Sequence, residues 1–139
     1  VSYSKALFLA IKQYEVQTFV VHQAGINREV SPFLLMISNA NQFGYDFSLT
    51  PNALVSDGQF ELILFKSKTI WSLFKLFLAS RFGLKLSEKL LEIIPISDVV
   101  IESTSKEFLI QLDGETNRIS NQELQIEMHP TGLHVIIPS

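Results

Sequence analysis

The chain has no cysteine in its 139 residues. That excludes a disulfide framework and thiolate zinc sites, and it fits a cytoplasmic protein. The three histidines, His22, His129 and His134, are scattered without the short helical spacing of a zinc pair. None is assigned as a ligand, and His134 reads as an exposed residue of an alternating strand. Gly44, Gly58 and Gly114 stand alone, so no glycine-rich loop can cradle a phosphate. No Gly-x-Ser-x-Gly elbow supports Ser-His-Asp catalysis. The net charge is a mild −3, which offers no basic footprint for nucleic acid. The most apolar run, 70–82, falls short of the roughly 20 residues that span a bilayer, and Lys75 and Arg81 interrupt it. Val1-Ser2-Tyr3 lacks both an initiating methionine and the regions of a signal peptide. A helical pattern begins almost at once, so the chain reads as a piece of a longer one.

What is present is apolar: 47% of residues are hydrophobic, and 11 are phenylalanine. The length suits one domain with a real core. Tyr3, Leu7, Ile11 and Tyr14 recur at helical spacing, with Lys5 and Lys12 off that stripe. Residues 16–23 read as a strand with Val16, Thr18, Val20 and His22 on one face and Gln17, Phe19 and Val21 on the other. A turn at Ala24-Gly25-Ile26-Asn27 leads into a returning strand at 28–30. The unbroken run 33–37 predicts a central strand or one buried on both faces. Residues 38–48 read as a loop that Pro51 ends, and 59–65 as a strand with Phe60, Leu62 and Leu64 sharing a face.

Thr69 and Gly83 are the expected N-cap and C-cap of a helix over 70–82. This helix is apolar almost all round. It suits either packing over an open sheet face or resting on a membrane or lipid-tail groove. Residues 87–91 fit a further helical turn. After Pro95 the pattern predicts only strands, at 99–103, 108–112, 123–128 and 133–137, the last two divided by His129-Pro130-Thr131-Gly132. The expected fold is mainly β, a two-layer antiparallel β-sandwich with an N-terminal helix and one inserted helix. Residues 1–139 form a single domain without repeat or linker.

Two acidic turns carry the chemistry. Leu109-Ile110-Gln111-Leu112-Asp113-Gly114-Glu115 is a half-buried strand ending in an acid, a glycine and a second acid. Carboxylates at a rigid strand end can hold a metal or accept a proton, and Asp-Gly is equally a hairpin signal. Leu54-Val55-Ser56-Asp57-Gly58-Gln59 places one carboxylate among turn carbonyls. Magnesium takes oxygen ligands and keeps several waters, so an acid and two carbonyls would suffice. A turn aspartate satisfied by its own backbone fits the same residues.

Asn39-Ala40-Asn41-Gln42-Phe43-Gly44, Pro51-Asn52-Ala53-Leu54-Val55-Ser56-Asp57-Gly58-Gln59-Phe60-Glu61-Leu62, Leu112-Asp113-Gly114-Glu115 and Pro130-Thr131-Gly132-Leu133 follow one another in an informative order. In that order the chain resembles the C-terminal domain of the bacterial diacylglycerol kinase and sphingosine kinase-like lipid kinase superfamily. The resemblance covers nearly the whole chain. It implies a preceding α/β domain with a Gly-Gly-Asp-Gly-Thr motif that binds most of the ATP, and an active site between the domains. It further implies Glu115 as general base on a lipid hydroxyl, Asp113 in a supporting role, and Asn39 and Gly44 facing the nucleotide cleft. Asp57 would hold a structural Mg²⁺ with the carbonyls of Leu54 and Gln59. The implied partners are a lipid substrate, the N-terminal domain and the inner membrane face, where the protein would sit peripherally; nucleic acid is not among them. Relatives often carry a glycine run where this chain has Gly44-Tyr45-Asp46, and Gln59 replaces a usual aliphatic residue. Two other readings compete: a non-catalytic β-sandwich module for lipid or carbohydrate, and a structural interaction domain whose acidic turns are only turns.

Overall fold

The structure, a computed structural model, describes residues 9, 11–39, 49, 57–112 and 114–129. Among them nine strands and a long helix follow in the order β1 (Phe19–Gln23), β2 (Ile26–Val30), β3 (Leu34–Ser38), β4 (Phe60–Phe65), α1 (Ile70–Phe82), β5 (Leu91–Ile96), β6 (Asp98–Ser103), β7 (Phe108–Leu112), β8 (Glu115–Ile119) and β9 (Glu123–Glu127). All described strand pairings are antiparallel. One sheet runs β2-β1-β6-β9, a second β3-β4-β5, and β7-β8 form a separate ribbon. Val21, Val30, Val99 and Ile101 of the first sheet meet Leu62, Leu64 and Ile96 of the second in one cluster. The expected β-sandwich is therefore present, with that cluster as the filling between its layers.

Helical residues at 9 and 11–13 lie where the N-terminal helix was expected; Tyr3 and Leu7 fall outside the described residues, as does the strand expected at 133–137. The α1 limits match expectation. Thr69 Oγ1 accepts from the Ser72 N–H at 3.2 Å, and Gly83, at φ 66°, donates its N–H to Ala79 O. Residues 87–91 make the single turn anticipated, with Leu90 N–H and Leu91 N–H both directed at Ser87 O. No helix among the described residues is long and apolar enough to cross a membrane.

Several expectations need correction. The first strand starts at Phe19 rather than residue 16. The turn after it is tighter than expected: Ala24 and Gly25 take φ 48° and 77°, the left-handed pair of a two-residue hairpin, so β2 already starts at Ile26. The run at 33–37 is not a central strand, since β3 is an edge of its described sheet and β4 is the middle. Leu62, Ile63, Leu64 and Phe65 are each at most 1% exposed, so β4 is covered on both faces and its alternation carries no polar side. On the outer face Phe33 meets Phe65 edge-on at 6.4 Å and is itself met by Tyr14 at 5.1 Å. Finally, Pro95 lies inside β5, and β8 is a strand that the pattern did not reveal. The proline is tolerated because β5 is an edge among the described strands. Its carbonyl accepts from Gln23 Nε2 at 3.0 Å, so this residue's backbone faces away from β4.

A polar clasp joins the layers. Arg28 on β2 grips Glu92 on β5 with two bonds, 2.6 and 2.8 Å, and Lys66 Nζ reaches the same carboxylate at 2.6 Å. Arg28's bonds, reinforced by Lys66, lower the Glu92 carboxyl to about 2. A carboxylate depressed in the folded state stabilises above its unfolded value near 4.5 and loses that contribution as pH falls toward 2. Arg28 and Lys66 are partly solvated, which limits the contribution to about 2 kcal/mol. Glu92→Gln should therefore cost about that much at neutral pH and nearly nothing at pH 2, as urea unfolding at the two pH values would read. Equal losses at both would assign the effect to packing.

Candidate functional site

The β7-β8 ribbon presents Glu115. Leu112 pairs with Glu115 across a two-residue loop, where Gly114 takes φ 92°, a backbone region that a side chain would strain. Asp113, the loop's other residue, lies outside the described residues. At the ribbon base Phe108 is 5% exposed and meets Phe19 edge-to-face at 5.9 Å, pinning the ribbon to the first sheet. Strand alternation and register put Phe108, Ile110, Leu112 and Glu115 on one face. That face is closed at its base and open at its tip, where Glu115 is exposed beside an exposed Leu112. A carboxylate on a fixed strand end, bordered by apolar surface, can accept a proton from a hydroxyl attached to an apolar molecule.

The second turn lies at the end of the β3-β4 pair. Asp57 Oδ1 accepts the Gln59 N–H at 3.0 Å, and Gly58 takes φ 74°. The side chain thus braces its own turn in the Asx manner. Because Ser38 opposes Glu61, Asn39 falls opposite the start of β4, at the same sheet end as Asp57 and Gln59. Asn39 itself is exposed. Leu54 and Gly44 fall outside the described residues. No hydrogen bond or ion pair among the described residues joins Glu115 to Asn39, Asp57 or Gln59. Nor do three or more His, Asp or Glu side chains there gather into a metal cluster.

Sequence reasoning missed Glu61. Its Oε2 is buried without a hydrogen-bond partner among the described residues, and burial, with the Asp57 charge adding to it, pushes its carboxyl up. The available signal was Glu61's place next to Asp57 on a strand of otherwise apolar residues. His22, left unassigned, bonds Asn27 Oδ1 through Nδ1 at 2.9 Å and Glu102 through Nε2 at 3.2 Å. These partners, Asn27 foremost, raise its pKa. It borders a shallow pocket of about 160 Å³ between β1, β6 and β9.

Solved structures share this fold. A Bacillus anthracis strain Sterne protein assigned as a diacylglycerol kinase superposes with a TM-score of 0.60 at 19% identity, over 92% of this chain and 47% of its own. A second such protein of the same strain gives 0.59 at 18% identity, over 90% and 45%. A diacylglycerol kinase of that strain gives 0.55 at 18%, over 86% and 40%. The chain thus spans less than half the length of each. No curated protein matches the chain by sequence. The family model for the YegS C-terminal NAD kinase beta sandwich-like domain matches residues 1–137. With that match across nearly its whole length, and with the two-layer sandwich it describes, the chain belongs to this family of kinase C-terminal domains.

Proposed function

We propose that the full-length protein is an ATP-dependent lipid kinase, acting on a hydroxyl of a diacylglycerol-like or sphingoid lipid, and that this chain supplies the general base and part of the lipid cleft. The observation that carries the reading is Glu115, exposed at the tip of an anchored ribbon beside Leu112. Glu115 takes the hydroxyl proton as the lipid oxygen bonds to the γ-phosphorus of ATP and ADP leaves with the bridging oxygen. Asp113 supports that carboxylate, and Asn39 and Gly44 border the nucleotide side of the cleft. The N-terminal domain binds ATP, and the protein works peripherally at the cytoplasmic membrane face.

The Asp57 turn fits a structural Mg²⁺. Its donors are hard oxygens, and Glu61, whose buried Oε2 has no hydrogen-bond partner among the described residues, feels the Asp57 charge beside it. Asp57 with the carbonyls of Leu54 and Gln59 would hold the ion, which would neutralise this charge and stiffen the sheet end. Asp57→Asn should then lower the melting temperature and turnover together, with excess Mg²⁺ restoring part of both. A variant that melts as wild type, with a melting temperature indifferent to Mg²⁺, leaves Asp57 as a turn brace.

The decisive assay offers the full-length protein labelled ATP with diacylglycerol, sphingosine or NAD as acceptor. Label in a lipid product is the expected result. Label in NAD alone would replace lipid by nucleotide as the substrate class, and no labelled product would return the chain to a binding role.

A further inference from the structure

The faces of α1 are arranged against the usual rule. Leu73, Leu76, Ala79 and Ser80 lie on its inward side, with Ala79 at 4% and Ser80 at 7% exposure. The outward side carries the larger apolar groups: Ile70 is 53% exposed, Trp71 65% and Phe82 67%, with Phe74 between them at 47%. At 3.6 residues per turn these four, with Lys75 and Arg81, fall within one half of the helix circumference. Trp71 stacks on Phe74 at 5.6 Å and 27°, and Lys75 Nζ lies 5.8 Å from the Trp71 ring centre. The surface is thus a preformed aromatic plate edged with cations rather than scattered exposed residues.

Charge separates this region from the remainder of the chain. Residues 66–89 hold Lys66, Lys68, Lys75, Arg81, Lys85 and Lys89 but a single acid, Glu88, although acids outnumber bases 14 to 11 overall. Lys66 is committed to Glu92 and Lys68 to the Tyr14 carbonyl. Lys75, Arg81 and Lys85 make no ion pair among the described residues.

We propose that this face of α1 rests on a bilayer containing anionic phospholipid. Aromatic groups enter the headgroup boundary while Lys75, Arg81 and Lys85 meet the lipid phosphates. The helix lies in the surface plane, being too short to span. A second copy fits the face poorly, since it would set these cations against their own equivalents. The inference extends the membrane-facing part of the function proposed above and is independent of its chemistry.

The test is sedimentation of the full-length protein with vesicles, without ATP. Phosphatidylcholine vesicles containing about one third phosphatidylglycerol should bind it at least about tenfold more tightly than phosphatidylcholine alone, with added salt narrowing the gap. Lys75→Glu with Arg81→Glu should lose about tenfold or more on anionic vesicles only. Trp71→Ser with Phe82→Ser should lose binding to both. Because folding of these variants could falter, hydrogen exchange of the wild type supplies a second reading: vesicles should slow the α1 amides selectively. Glu115→Gln should bind as wild type, so a kinase that is dead yet docks counts against the chemistry alone. An active kinase that ignores anionic vesicles, variants that bind unchanged, or α1 amides that vesicles leave unprotected would overturn the proposal. So would a dimer that Trp71→Ser breaks up, which would give the face to a second copy.

Discussion

Glu115→Gln in the full-length protein is expected to lower kcat about 10²–10⁴-fold, the span over which a positioned general base contributes. The amide keeps the size of the side chain and an acceptor oxygen, so hydrogen-bonded contacts to substrate survive while proton acceptance is lost. ATP affinity should hardly change, because the nucleotide is assigned to the other domain. The exchange should leave stability nearly intact, since Glu115 is exposed and the ribbon is held by Phe108 and Phe19 at its opposite end. Turnover should therefore fall without any shift in melting temperature. Steady-state assays on lipid vesicles, paired with calorimetry, read both quantities. Full turnover in this variant, in a parent established as a lipid kinase, would place the base elsewhere and reduce Asp113-Gly114-Glu115 to a hairpin turn.

The largest loss of stability should come from Phe65→Ala. Phe65 is 0% exposed on the central strand of the second sheet, and Phe33 packs its edge against it. Removing the ring loses its burial and leaves a hole that neighbouring strands, held by backbone pairing on both sides, cannot close. Such truncations cost about 3–5 kcal/mol. Domains of this kind are stable by only about 5–15 kcal/mol, so the variant should be marginal or unfolded at physiological temperature. Phe65→Leu, which keeps most of the volume, should lose much less. Denaturant unfolding of the two variants distinguishes a packing role from a general intolerance of that position.

The elements that could be read from the sequence are those whose signals are local. Thr69 and Gly83 bracket α1 because a side-chain oxygen and a left-handed glycine satisfy groups within one helical turn. β7 ends where expected because Asp113-Gly114 imposes a reversal whatever surrounds it. Elements fixed by distant neighbours were not legible. The apolar run that becomes β3 looks as central as β4, and nothing in its own residues says which strand has partners on both sides. Pro95 argues against a strand until its edge position is known. The same division holds for the site. The turns bearing Asp57 and Glu115 are visible in sequence, whereas the stranded oxygen of Glu61 exists only once the sheet covers it. Nor does a helix apolar on every side reveal which face it turns outward. Only the fold shows that Leu73, Leu76, Ala79 and Ser80 turn inward and leave Trp71, Phe74 and Phe82 exposed.

Pro95 has a consequence for how the protein behaves at high concentration. An edge strand is usually adhesive, because its free N–H and C=O groups template a strand from another molecule. At Pro95 the donor is missing by chemistry and the acceptor is already taken by Gln23 Nε2. The outer rim of β5 is therefore blunted where its neighbour Ile93, 41% exposed, would otherwise make it sticky. A residue that looks like a flaw in a strand thus removes a pairing position from this rim of the described sheet and opposes growth of the sheet from one molecule to the next.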